Sequence, residues 1–122
     1  MKTISPAVAR WLEARAKSEA QFLREVGALL TDFGWAWHHC RPAWTEKGWR
    51  TPIQGTPGFM DIVAARALPI PRLLLIELKT ERGKLTPAQR AWRAALGAAE
   101  RRDWEYYCFC PSQWGEIVEV LK

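Results

Sequence analysis

Residues 73–80 read LLLIELKT: a strand that opens wholly apolar and closes on a carboxylate and an ammonium two residues apart. Side chains alternate across an extended strand. Leu73, Leu75, Glu77 and Lys79 therefore share one face, and Leu74, Ile76, Leu78 and Thr80 the other. Apolar residues on both faces are the pattern of a central strand covered from both sides. Two charges at its end make sense where the strand emerges at a rim and carries them to a site.

The neighbouring segments supply the rest of a sheet. Residues 59–66, FMDIVAAR, form a second strand, joined to 73–80 through the turn Leu68-Pro69-Ile70-Pro71. After a turn at 81–84, Thr86-Pro87 opens a helix with Ala88, Trp92, Ala95, Leu96 and Ala99 on its apolar side. Residues 104–110, WEYYCFC, read as a further strand. Ser112 caps a last helix, where Trp114, Ile117, Val118 and Leu121 fall at i, i+3, i+4 and i+7. Toward the N-terminus, 35–40 (WAWHHC) is a short aromatic strand, and 41–58 (RPAWTEKGWRTPIQGTPG) is a long loop or ragged hairpin.

Two helical pieces come first. Ser5-Pro6 starts one, and Ser18-Glu19-Ala20-Gln21 is a capping box for a second, which carries Phe22, Val26, Leu29, Leu30 and Phe33 up to Gly34. A continuous helix and a kinked one fit equally. The order is α-β-β-β-α-β-α, an α/β fold with a mixed four-stranded sheet flanked by helices. Short turns imply antiparallel pairing of the first three strands, and the helical crossover a right-handed parallel pair. Trp11, Trp92 and Trp114 lie on apolar helix faces and are expected in the core.

The totals bound the class. The 122 residues suit one domain, 1–122, and 48% hydrophobic content is enough for one core. No apolar run reaches the roughly 18–20 residues that cross a bilayer, and the first twenty residues lack the apolar stretch of a secretory signal. A net charge of +5 favours an anionic partner, nucleic acid above all, although it also serves solubility. Three cysteines without a C-x-x-C pair suit a reducing, cytoplasmic setting, and His38, His39 and Cys40 lack the second ligand pair of a zinc site.

The chemistry follows from the pairing of two strands. If 59–66 and 73–80 pair through their turn, Asp61 comes close to Glu77. Two adjacent carboxylates repel unless a cation or a proton intervenes. A hard divalent cation such as Mg²⁺ suits such oxygens, and the backbone carbonyl of Leu78 offers a third. Such an ion would activate water and shield phosphate charge. Lys79 would point to the same spot and stabilise negative charge. Glu77 and Lys79 alone are also explained as an ion pair near a strand end, and Asp61 alone as a turn carboxylate.

The joint pattern Gly58-Phe59-Met60-Asp61, then Ile76-Glu77-Leu78-Lys79-Thr80, then Lys84-Leu85-Thr86-Pro87-Ala88-Gln89 with Trp92 resembles the VRR-NUC group of PD-(D/E)xK nucleases. The likeness runs from about Ser18 to the C-terminus. It implies a restriction-endonuclease-like core and a Mg²⁺- or Mn²⁺-dependent deoxyribonuclease. It further implies Asp61 and Glu77 as metal ligands, Lys79 as the catalytic lysine, and Glu19 and Gln89 approaching the same site. Small members of the group act on branched DNA, including Holliday junctions, as homodimers, which also implies a cytoplasmic bacterial or phage-type setting. Met60 departs from the usual proline before the aspartate, a change in local backbone.

Several of these residues serve equally well in a structural role. Glu19 suits the positive end of any helix, and Gln89 completes a T-x-x-Q capping box, so it caps, reaches the site, or does both. His38 and His39 point to opposite faces of their strand, so one of them can approach the site as a proton carrier or phosphate contact, while a satisfied strand histidine is the favoured reading for each. Arg50, Lys47, Trp49, Lys84 and His39 are the candidate nucleic-acid contacts. Trp44 and Trp49 either stack on bases or pack the loop onto the domain or a second subunit. Two functions compete with the nuclease: a basic nucleic-acid-binding module that does not cut, and an adaptor gripping protein through Trp44 and Trp49.

Overall fold

The computed structural model describes residues 3–40, 43–50, 54–97 and 103–122. Ala99, expected on the apolar side of its helix, lies outside them. Within them the chain runs α1 (Pro6–Ala16), α2 (Glu19–Asp32), β1 (Ala36–His38), β2 (Ala43–Thr45), β3 (Gly48–Arg50), β4 (Ile62–Arg66), β5 (Arg72–Leu78), α3 (Pro87–Gly97), β6 (Glu105–Phe109), a 3-10 turn (Pro111–Gln113) and α4 (Trp114–Leu121). The main sheet has the order β1-β4-β5-β6. β4 lies antiparallel to β1 and to β5, and β5 lies parallel to β6. This is the expected mixed α/β order. The segment read as a loop or ragged hairpin contains a hairpin of its own, β2-β3.

β5 is central and covered on both sides. Leu74, Ile76 and Leu78 are all but fully buried and join Phe22, Val26 and Leu30 of α2 with Ile117 and Leu121 of α4 in one cluster. Each such side chain contributes about 1.5–3 kcal/mol on burial. The opposite face of β5 carries Leu75 and Glu77. Burial runs without a break from Leu74 to Leu78, so the exposed charge appears only once the strand has ended.

α1 and α2 are separate helices. Lys17 is extended (φ −68°, ψ 129°), and the Ser18 hydroxyl accepts the Gln21 N–H at 3.1 Å to open α2. On α2, a Cβ at Gly27 would stand 2.7 Å from the Trp37 ring, so the glycine lets β1 press its tryptophan against the helix. The placing of two tryptophans in the core is corrected by the fold. Trp11 and Trp114 are 48% and 36% exposed. Each lies against a cationic side chain instead: Arg15 is 4.6 Å from the Trp11 ring and Lys17 5.8 Å from the Trp114 ring. Apolar spacing on a helix marks a face that favours cover, and here each ring keeps much of its surface exposed with a cationic group over it. Trp92 is half-buried, with its ring edge-on to Phe59 at 5.0 Å.

Candidate active site

The two carboxylates meet because of register. Ile62 pairs with Ile76, so Asp61, one residue before β4, stands across from Glu77. Its Oδ2 accepts the Leu78 N–H at 2.7 Å, holding the carboxylate against the end of β5. Gly58 sets the approach. It has φ 96°, and a Cβ there would fall 2.5 Å from the Ala88 carbonyl carbon, so only glycine lets this loop lie against α3.

Glu77 is 1% exposed, the one charged residue buried among those described. Its Oε2 accepts the Gln89 side-chain amide at 2.9 Å. Its Oε1 is buried without a donor. Burial first, then the charge and closeness of Asp61, push its carboxyl up to about 8, with Lys79 opposing and Glu19 adding to the rise. Protonated, Glu77 can donate to Asp61; ionised, it leaves an oxygen with no partner, which is costly in a low dielectric.

Gln89 caps α3 and contacts Glu77 at the same time. Its Oε1 accepts the Thr86 N–H at 2.9 Å and its own N–H reaches Thr86 Oγ1 at 3.2 Å, while its amide nitrogen serves Glu77. His39 is half-buried, with Nδ1 2.7 Å from the Asp61 carbonyl oxygen. A carbonyl only accepts, so Nδ1 carries the proton, and Nε2 of the neutral ring is an acceptor. His38 is exposed and lies 3.6 Å from the Cys40 sulfur.

A cleft of about 1040 Å³ opens beside this group. Glu19, His39, Asp61 and Leu78 line it together with Leu23, Met60, Phe59 and Trp92. Glu77 and Lys79 do not form its wall; Glu77 lies beneath the surface, and Lys79 is half-exposed just past the strand. Lys84 is exposed on the loop before α3, and Lys47, Trp49 and Arg50 are on the β2-β3 hairpin. A second hollow, about 1180 Å³, lies at the other end of the sheet around Arg66, Pro69, Arg72 and Trp104, away from every expected site residue.

Among the described residues, no three His, Cys, Asp or Glu side chains gather into a metal-holding group. The donors at hand are the two carboxylates of Asp61 and Glu77 and the Leu78 carbonyl. They fit a hard divalent ion on one specific ground: such an ion supplies the partner that buried Oε1 lacks and offsets the repulsion between the two acids.

Tyr106 was not foreseen. It is on β6 opposite Leu75, its hydroxyl is buried without a partner, and burial followed by the charges of Cys108 and Glu77 pushes it up to about 12. Arg93 of α3 lies 5.1 Å over its ring. Nothing in WEYYCFC tells Tyr106 from Tyr107, because the register of a parallel strand across a helical crossover is not written locally. A scan against protein-family models and searches of curated proteins and of solved structures find no match to this chain.

Proposed function

We propose that this chain is a divalent-metal-dependent deoxyribonuclease on a restriction-endonuclease-like core, acting on branched DNA as a homodimer. One observation carries the reading: a buried carboxylate with an unpartnered oxygen stands beside a second carboxylate, at the end of a strand that next presents a lysine. Asp61, Glu77 and the Leu78 carbonyl would hold Mg²⁺ or Mn²⁺. When bound, the ion supplies positive charge to the phosphate and lowers the proton affinity of water. Lys79 stabilises the charge that develops on phosphate oxygen as water adds to phosphorus and the P–O ester bond breaks. Gln89 fixes the Glu77 rotamer through a hydrogen bond anchored at its other end by Thr86. His39 steadies the Asp61 backbone through Nδ1 and lines the same cleft. Glu19 lines the same cleft and is the further candidate ligand.

The test is cleavage of flap, nicked and four-way DNA with Mg²⁺ or Mn²⁺. Lys79→Ala should lower the rate by about 10²–10³-fold, and Asp61→Ala and Glu77→Ala should abolish it, with folding kept in each. Full activity in any of the three removes the role assigned to that residue.

A second reading, a basic binding module that does not cut, is favoured by a different observation. Asp61 already accepts a backbone N–H and Glu77 a side-chain amide, which are structural uses of both acids. Salt-sensitive DNA binding with no cleavage in either metal would select it.

A further inference from the structure

The β2-β3 hairpin carries a feature that the acid cluster does not use. Trp44 and Trp49 are paired directly across it, ring centroids 5.5 Å apart and planes at 72°. They are 70% and 67% exposed. Aromatic pairs across a strand stabilise a hairpin, but that task leaves no reason to present most of two indoles to water. The position of the hairpin supplies one. Cys40 precedes the hairpin segment and Gln54 follows it, and both line the cleft that holds Asp61. The described residues that flank the hairpin segment on either side thus both stand at the candidate site. That cleft has aromatic side chains of its own, Phe59 and Trp92.

Charge favours one class of ligand. The segment 41–58 holds Arg41, Lys47 and Arg50 against Glu46 alone, in a chain of net charge +5. A grip for an apolar protein surface would favour aliphatic neighbours, whereas in sequence these indoles stand within a few residues of Arg41, Lys47 and Arg50, with Ala43 and Ile53 the aliphatic side chains from 41 to 53. Flat apolar rings among cations are what stacking on bases requires, since every base has a π-face and every nucleotide a phosphate.

We infer that Trp44 and Trp49 form a stacking platform for unpaired bases, placed to select DNA with a single-stranded or open segment at the cleft. The platform rests on the nucleic-acid reading above and gives it a source of shape selectivity: bases inside an intact duplex cannot reach the rings.

The experiment measures binding in EDTA, where no cutting occurs. Fluorescein-labelled oligothymidylate, a blunt duplex, and the same duplex with an unpaired tail are titrated with wild type, Trp44→Ala/Trp49→Ala and Trp44→Phe/Trp49→Phe. The alanine pair should lose about tenfold or more in affinity for the single strand and the tailed duplex, and less than about twofold for the blunt duplex. The phenylalanine pair should keep most of the affinity, because it keeps stacking faces. Both pairs should keep the main melting transition of wild type, since the hairpin is a two-stranded sheet separate from the four-stranded one that carries the core. Equal loss on all three DNAs, or none, overturns the inference. So does a fall in light-scattering mass of the alanine pair with DNA binding intact, which would make the hairpin a contact between chains. The two readings fail separately. Tryptophan-dependent binding without cleavage in metal leaves the platform standing. Cleavage of tailed DNA by the alanine pair at wild-type preference leaves the nuclease and removes the platform.

Discussion

Glu77 has to be either neutral or paired, because an ionised carboxylate with 1% of its surface in water and one oxygen without a donor is costly. In the unfolded chain the group loses its proton near its ordinary 4.5, and in the folded protein near 8. Between these values the folded state binds more protons than the unfolded one, so stability falls as pH rises. Below the window the group contributes nothing, and above it the penalty is complete. Glu77→Gln removes the titration and keeps the amide contact within reach. In EDTA its melting temperature should hold steady from about pH 5 to pH 8, relative to other groups, where that of wild type declines. Parallel profiles for the two proteins would mean that Glu77 is not the acid that is held neutral.

At the level of elements, legibility followed locality. β5 was readable because a short apolar run on both faces suits a strand covered from both sides, and the closeness of Asp61 to Glu77 was legible on condition that the two strands pair, which their register shows. The hairpin β2-β3 was harder to see, since three-residue strands rich in tryptophan and threonine carry no period among prolines and glycines. Trp11 and Trp114 lie outside the core because apolar spacing marks a helix face without showing that another element packs on it. The cap of Gln89 was legible from T-x-x-Q, while its contact with Glu77 was one of several alternatives that the sequence left open. Gly58 holds the same corner from the other side. Gly58→Ala should destabilise the fold by more than the roughly 1–2 kcal/mol of a left-handed alanine, since its methyl would also strike the Ala88 backbone. Gly55→Ala is the matched control: it too has positive φ, but nothing lies within 4 Å of the added carbon. Thermal melts of the two should separate the clash from the backbone strain, and equal losses would mean that the loop does not rest on α3.

Across the whole molecule, the two ends of the sheet are built differently. At one end, Arg66 donates to the Phe33, Leu121 and Lys122 carbonyls and lies over the Trp35 ring, while Arg72 grips Glu105 through two bonds of 2.8 Å. Trp35 in turn donates to the Leu121 carbonyl at 2.7 Å. Strands and both core helices are tied there without help from the acids. The other end carries the cleft and the one buried charge among the described residues, with neighbouring carboxylates that repel. Loss of a site acid should therefore leave the fold standing, and binding of an ion should add to it. An ion that binds only the folded protein raises stability by RT ln(1 + [L]/Kd), about 2.7 kcal/mol at a hundredfold excess over Kd. Mn²⁺ or Mg²⁺ should raise the melting temperature of wild type by several degrees and leave that of Asp61→Ala unmoved. Because Glu77 holds its proton up to about 8, the ion has to displace it, so the rise should be larger at about pH 9 than at about pH 6. A rise of equal size in the Asp61 variant would place the ion elsewhere. No rise at either pH, with DNA still bound, would leave the two acids as structural groups and the cleft as a surface that holds nucleic acid without cutting it.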